Sequence, residues 1–144
     1  MSDTDRPIRT LMNGEVVTID PQASLAELEK LLAVTTISGV PVLDEGGELV
    51  GIVSKTDLTG YYASPAGRDV DAEKAQVWQI MSLSVIAASA ETPIPEVARM
   101  MMEAGVHRVV LRDRGHTAGI VTSLDFVRLL AEGPSAAPLT RPGR

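Results

Sequence analysis

Gly51-Ile52-Val53-Ser54-Lys55-Thr56-Asp57-Leu58 occurs a second time as Gly119-Ile120-Val121-Thr122-Ser123-Leu124-Asp125-Phe126. In both copies a glycine leads into a short β-branched run that reads as a strand, and Ser or Thr followed three residues later by Asp opens a helix. A strand-to-helix junction leaves the first helical N–H groups without intrahelical partners. Ser54 and Thr122 are the natural N-caps. Asp57 and Asp125 fall at the third helical position, where a carboxylate closes a capping box and complements the helix dipole.

The repeat extends outward from this junction. Ile8-Arg9-Thr10-Leu11-Met12 matches Val77-Trp78-Gln79-Ile80-Met81 at a shift of 69 residues (77 − 8), and Ser54–Asp57 matches Thr122–Asp125 at 68 (122 − 54). Self-similarity at a fixed period marks a duplicated module, with one residue lost in a turn.

Composition bounds what such a module can be. A chain of 144 residues with 44% hydrophobic and 22% charged residues is one compact domain or two small halves. One Trp, one Phe and two Tyr leave the core to aliphatic residues. A formal charge of −6 lacks the basic stripe that nucleic-acid binding needs. The sequence contains neither a run long enough to span a membrane nor a signal pattern over Met1–Pro7, so the cytoplasm is the default expectation. Zero cysteines and two histidines leave no material for disulfides, a thiolate nucleophile or a His-rich metal site.

Read in order, Arg6–Met12 predicts a short helical lead-in that gives way at Asn13-Gly14. Val16–Ile19 predicts a strand, and Ser24 with Glu27 caps a helix bearing Leu25, Leu28, Leu31 and Leu32. Ile37–Leu43, interrupted by Pro41, and Leu49–Val53 predict a hairpin, closed by a helix from Lys55 to about Tyr62. Ala63–Arg68 reads as a flexible linker, and Asp71–Met81 as a helix carrying Trp78. In the second copy, Ser84–Ala88 predicts a strand, and Thr92 caps a helix starting at Pro93 with Ile94, Val97, Met101 and Ala104 on one face. Met100-Met101-Met102 reads as core filler. Gly105 ends that helix, Val106–Leu111 and Ala118–Val121 make the second hairpin, and the last helix runs to Glu132. This reading sets a first repeat at 6–62, a linker and the start of a connecting helix at 63–76, a second repeat at 77–132 and a disordered tail at 133–144.

These residues, in this order and twice over, resemble a tandem pair of CBS domains, the unit also called a Bateman module. The match rests on Ile8–Met12, Val16–Pro21, Ser24–Glu27, Ile37–Asp44, Leu49–Leu58 and their second-copy counterparts. The resemblance implies a mixed α/β (α+β) fold of two βαββα repeats packed sheet to sheet about a pseudo-twofold axis, with clefts between them for adenosine-containing ligands. It implies a homodimer, an unnamed regulated protein, and a regulatory ligand such as AMP, ADP, ATP or S-adenosylmethionine rather than a required cofactor or an enzyme activity. The repeats fill the chain, so no attached catalytic domain is expected.

The site residues follow from the same resemblance. Asp57 and Asp125 look like the carboxylates that accept hydrogen bonds from ribose hydroxyls, a role suited to a group that only accepts. Ser54 and Thr122 look like the neighbouring hydroxyls, and a plain capping box uses the same atoms, so both readings stand. His107-Arg108 resembles a basic pair facing phosphates; its first-copy counterpart, Ser38-Gly39, is neutral, so the sites should be unequal. Thr18, Ile37, Val40 and Pro41 look like an adenine slot, with plain core the alternative for Ile37 and Val40. The second copy departs from the pattern, having Ala87–Ala90 without the Thr and Val110 in place of Pro41. Two function classes remain: an adenosine sensor, and a dimerisation or interaction module that binds no nucleotide.

Overall fold

Leu25, Leu28 and Leu32 recur at helical spacing and are all buried, and Ile94, Val97 and Met101 repeat the pattern one period later. Each triplet is the core face of a helix. The computed structural model describes residues 5–12, 16–34 and 39–132. These form two compact units, one built on Val17–Val85, the other joining the chain up to Val16 to the chain from Ile86.

In the Val17–Val85 unit, helix α1 (Leu25–Val34) is followed by strands β1 (Gly39–Leu43) and β2 (Leu49–Ser54) and helix α2 (Lys55–Ala63). β1 and β2 pair antiparallel with Val40 opposite Val53 and Pro41 opposite Ile52. The expected first strand, Val16–Ile19, contributes only one parallel bridge, Ile19 to Val42. Pro41 is the reason: its nitrogen carries no hydrogen, so the ladder cannot extend to Val17.

In the other unit, β3 (Ala87–Ser89) runs parallel to β4 (Arg108–Asp113), which pairs antiparallel with β5 (His116–Thr122). Here the equivalent rung exists, because Val110 N–H donates to the Ile86 carbonyl at 2.9 Å. Helix α3 (Ile94–Ala104) ends at Gly105 with φ +66°, and α4 (Ser123–Glu132) follows β5. The elements make a mixed α/β fold with two βα repeats, as the resemblance implies.

The lead-in segments serve the opposite copies. Ile8, a 3-10 turn residue of the first lead-in, is fully buried with Ile94, Val97 and Val121. Its backbone N–H donates to Thr92, and Ile94 N–H at the start of α3 donates to the Arg6 carbonyl. Val77 is buried instead with Leu25, Leu28 and Val53, while Leu25 N–H at the start of α1 donates to Ala75.

This pairing explains a departure from expectation. Asp71–Met81 forms successive turns and a short 3-10 helix, Val77–Gln79, rather than one helix. Its donors go elsewhere: Val77 N–H to Ala23 and Trp78 N–H to Pro21. Ala63–Arg68, expected as a flexible linker, is a hydrogen-bonded turn held by Ser64, with Gly67 N–H donating to its carbonyl and hydroxyl. The expected tail at 133–144 lies outside the described residues.

Candidate functional site

β2 ends and α2 begins at Ser54, which is buried and extended at φ −129°. Its Oγ accepts from Asp57 N–H at 3.1 Å, and Asp57 Oδ2 accepts from both Ser54 N–H (2.8 Å) and Ser54 Oγ (2.9 Å). This is the capping box read in the sequence. It commits one carboxylate oxygen only. Among the described residues Asp57 Oδ1 accepts no hydrogen bond.

The second junction is built alike and finished differently. Asp125 Oδ2 accepts from Thr122 N–H at 2.8 Å and lies 3.3 Å from Thr122 Oγ1. Its Oδ1, however, faces Arg128 Nη1 at 3.4 Å, with the Asp125 side chain only 4% exposed. Gly60 holds the corresponding position after Asp57. Sequence reasoning passed over Arg128, although laying the copies over each other at the shift of 68 sets it against Gly60.

The strand edges differ too. Ile19 N–H donates to the Pro41 carbonyl at 3.1 Å and Leu43 N–H to the Ile19 carbonyl at 3.0 Å, but the Val17 carbonyl receives no hydrogen bond among the described residues. Thr18 is half-buried between them. Val40, a candidate for the adenine slot, is fully buried in the core with Leu28, Leu32 and Val53. Ile37 and Ser38 lie outside the described residues.

His107, Arg108, Thr122, Ser123 and Asp125 come together at one end of the β4–β5 hairpin. Arg108 stands opposite Thr122 in register, and the His107 carbonyl accepts from Ser123 N–H at 3.0 Å. His107 Nδ1 lies 3.4 Å from Ser123 Oγ. The first N–H of α4 is therefore already bonded within the protein. In the other unit Tyr62 Oη donates to Glu29 Oε2 at 2.8 Å, linking α2 to α1. Burial, then the hydrogen bond and charge of Glu29, push the Tyr62 phenol up to about 12.

A family model described as CBS domain matches residues 8–64 and 77–132. The chain belongs to the CBS-domain family. The uncharacterized protein MJ1426 of Methanocaldococcus jannaschii is 26% identical to this CBS pair, over 85% of this chain and 90% of its own length. The CBS domain pair of protein MJ0100, solved in complex with 5′-methylthioadenosine and S-adenosyl-L-methionine, is 28% identical over 88% of this chain and 96% of that one, with a TM-score of 0.75. An uncharacterized conserved protein from Pyrococcus horikoshii shares the fold at a TM-score of 0.76 and 24% identity, over 94% of this chain and 100% of that one. The chain spans less than half the length of the first curated relatives it matches, at 43%, 23% and 21%. Among the described residues no helix is long and apolar enough to cross a membrane, and no three His, Cys, Asp or Glu side chains cluster as metal ligands.

Proposed function

We propose that this CBS pair is a regulatory module that binds an adenosine-bearing ligand, AMP, ADP, ATP or S-adenosylmethionine, and signals its occupancy to a partner protein. The observation that carries this reading is the geometry of Asp57. One oxygen is fixed by the capping box, which orients the carboxylate, and the other is left to accept from a vicinal diol. The complex of the MJ0100 CBS pair with two adenosine compounds supports the ligand class. Ligand that favours one arrangement of the module shifts its population, and the partner reads the shift. No bond-making step is assigned to the chain.

A second reading, dimerisation without nucleotide, is favoured by one surface. Leu124, Val127 and Leu130 on α4 are 53%, 56% and 85% exposed and lie along one side of the helix. The corresponding residues of α2 are Thr56, Thr59 and Tyr62. A homodimer through α4 suits either reading, and nucleotide binding separates them.

The test is a thermal-shift titration of the full chain against AMP, ADP, ATP, S-adenosylmethionine and 5′-methylthioadenosine, with GTP as control. A ligand at about 100 times its dissociation constant adds roughly 2.7 kcal/mol to the folded state. A rise with an adenosine compound that Asp57→Ala abolishes supports the sensor. No rise at millimolar ligand leaves the dimerisation reading, which sedimentation of the wild-type chain and Leu124→Asp then tests.

A further inference from the structure

The two lead-ins dock alike, yet one of them leaves an aromatic ring uncovered. Trp78 N–H donates to the Pro21 carbonyl at 2.9 Å, and its counterpart 69 residues earlier (78 − 9), Arg9, donates its N–H to the Ala90 carbonyl at 3.1 Å. Arg9 then closes its position with an ion pair, Nη1 lying 2.7 Å from Glu91 Oε1. In the other copy the same shift (91 − 22) sets Gln22 in the place of Glu91, so no ion pair is available there. Trp78, the one tryptophan of the chain, is left 54% exposed.

The polar end of this ring is already engaged. Its Nε1–H donates to Gln76 Oε1 at 2.6 Å, and Gln76 N–H donates in turn to Gln79 Oε1 at 2.6 Å. Trp78 is thus anchored at both its backbone and its indole nitrogen, and it presents a partner only with the apolar faces of the ring. The groups that recognise a bare indole face are a guanidinium, drawn by the ring quadrupole, and a proline ring. A carboxylate beside it favours the cation. Asp20 is exposed and precedes the Pro21 whose carbonyl holds Trp78, whereas the second copy has Ser89 at that position (89 − 20 = 69).

The chain itself carries a segment of this chemistry. Residues 133–144 contain Pro134, Pro138, Pro142, Arg141 and Arg144 and no acidic side chain. The stretch Val17–Val85 that bears Trp78 contains ten acidic and four basic residues, a formal charge of −6 (4 − 10). We propose that Arg141-Pro142-Gly143-Arg144 of the same chain docks on Trp78, with an arginine over the indole face and Asp20 as its counter-charge. Twelve residues beyond Glu132 reach about 40 Å when extended, several times the radius of gyration of about 11 Å expected of a unit of some 70 residues. The prolines restrict the free segment and so reduce the entropy lost on docking. This contact is independent of the adenosine reading.

Because the chain has a single tryptophan, its fluorescence reports on Trp78 alone. The experiment is acrylamide quenching of the full chain beside two full-length variants, Arg141→Ala with Arg144→Ala, and Asp20→Asn, whose amide oxygen can still accept from Gln22 N–H. The double variant should lower the docked-to-free ratio of the segment about two- to fivefold or more, the scale of one exposed cation–π contact, and so raise the quenching constant. Asp20→Asn should raise it in the same direction. High salt should raise it in the wild-type chain and leave the double variant unchanged, since acrylamide carries no charge. Equal quenching of the wild-type chain and the double variant overturns the proposal. Protection that vanishes on dilution assigns the segment to a second copy and overturns docking within one chain. Melting curves of each variant separate an uncovered Trp78 from an opened core.

Discussion

Met12 lays its thioether sulfur against Gly119, 2.8 Å from where a Cβ would stand, and Met81 does the same to Gly51 at 2.9 Å. Each methionine ends the lead-in of one copy and covers the glycine of the other copy's junction strand. The two copies are thus tied by exchange of short segments, with Ile8 and Val77 as the buried anchors. Ile8→Ala should destabilise the chain by about 2–5 kcal/mol, the range for truncating a fully buried aliphatic side chain. Hydrogen exchange should show the loss in α3, β4 and β5, not in α1. Faster exchange confined to α1 would contradict the exchange of segments.

Gly51 has no room for a side chain. Its Cβ would stand 2.9 Å from both Met81 Sδ and the Ser82 carbonyl oxygen. The sulfur can move, but the carbonyl is fixed by paired hydrogen bonds between Ile52 and Ser82. Gly51→Ala should therefore cost about 1–3 kcal/mol in urea denaturation, and adding Met81→Ala should recover only part of it. Full recovery would mean that the backbone yields.

Ser54→Ala removes the acceptor for Asp57 N–H and one of the two donors that orient the carboxylate. Loss of such a cap costs about 1 kcal/mol. Under the adenosine reading it should also weaken ligand binding, because Asp57 is no longer held. A stability loss of this size with unchanged affinity would separate the cap from the site.

Tyr62 sets a response at high pH. Its phenol is pushed from 10.0 up to about 12 in the folded chain, so the protonated form is favoured by folding. That contribution is fully present below pH 10.0 and is lost as pH rises toward about 12. Tyr62→Phe should flatten the decline in stability over this window. An equally steep decline in the variant would assign the alkaline loss to other groups.

The repeat, both junctions and the apolar faces of α1 and α3 were legible because each is a local pattern. Ser54 with Asp57, and Leu25 with Leu28 and Leu32, lie within a turn or two of one another, where propensity and capping decide the outcome. Asp71–Met81 carries a helical pattern yet forms turns, because the Val77 and Trp78 N–H groups are taken by the Ala23 and Pro21 carbonyls, 54 (77 − 23) and 57 (78 − 21) residues back in the chain. Val40 is ambiguous in the sequence for a related reason: a β-branched residue in a strand suits a core or a ligand wall equally, and its burial is set by residues distant in the chain. Arg128 against Gly60 was legible in principle, since the copies align without a gap through both final helices.

By itself, then, the sequence determined that the chain is a duplicated strand-to-helix module with a capped carboxylate in each copy. It determined this because glycine, β-branched runs and Ser/Thr-x-x-Asp act over a few residues. Only the tertiary structure decided which lead-in completes which copy and which carboxylate oxygen stays open. Ile8–Met12 and Val77–Met81 are interchangeable as patterns, and their places follow from distant carbonyls that satisfy the first N–H groups of α1 and α3. The open oxygen of Asp57 likewise depends on what a neighbouring turn does or does not carry.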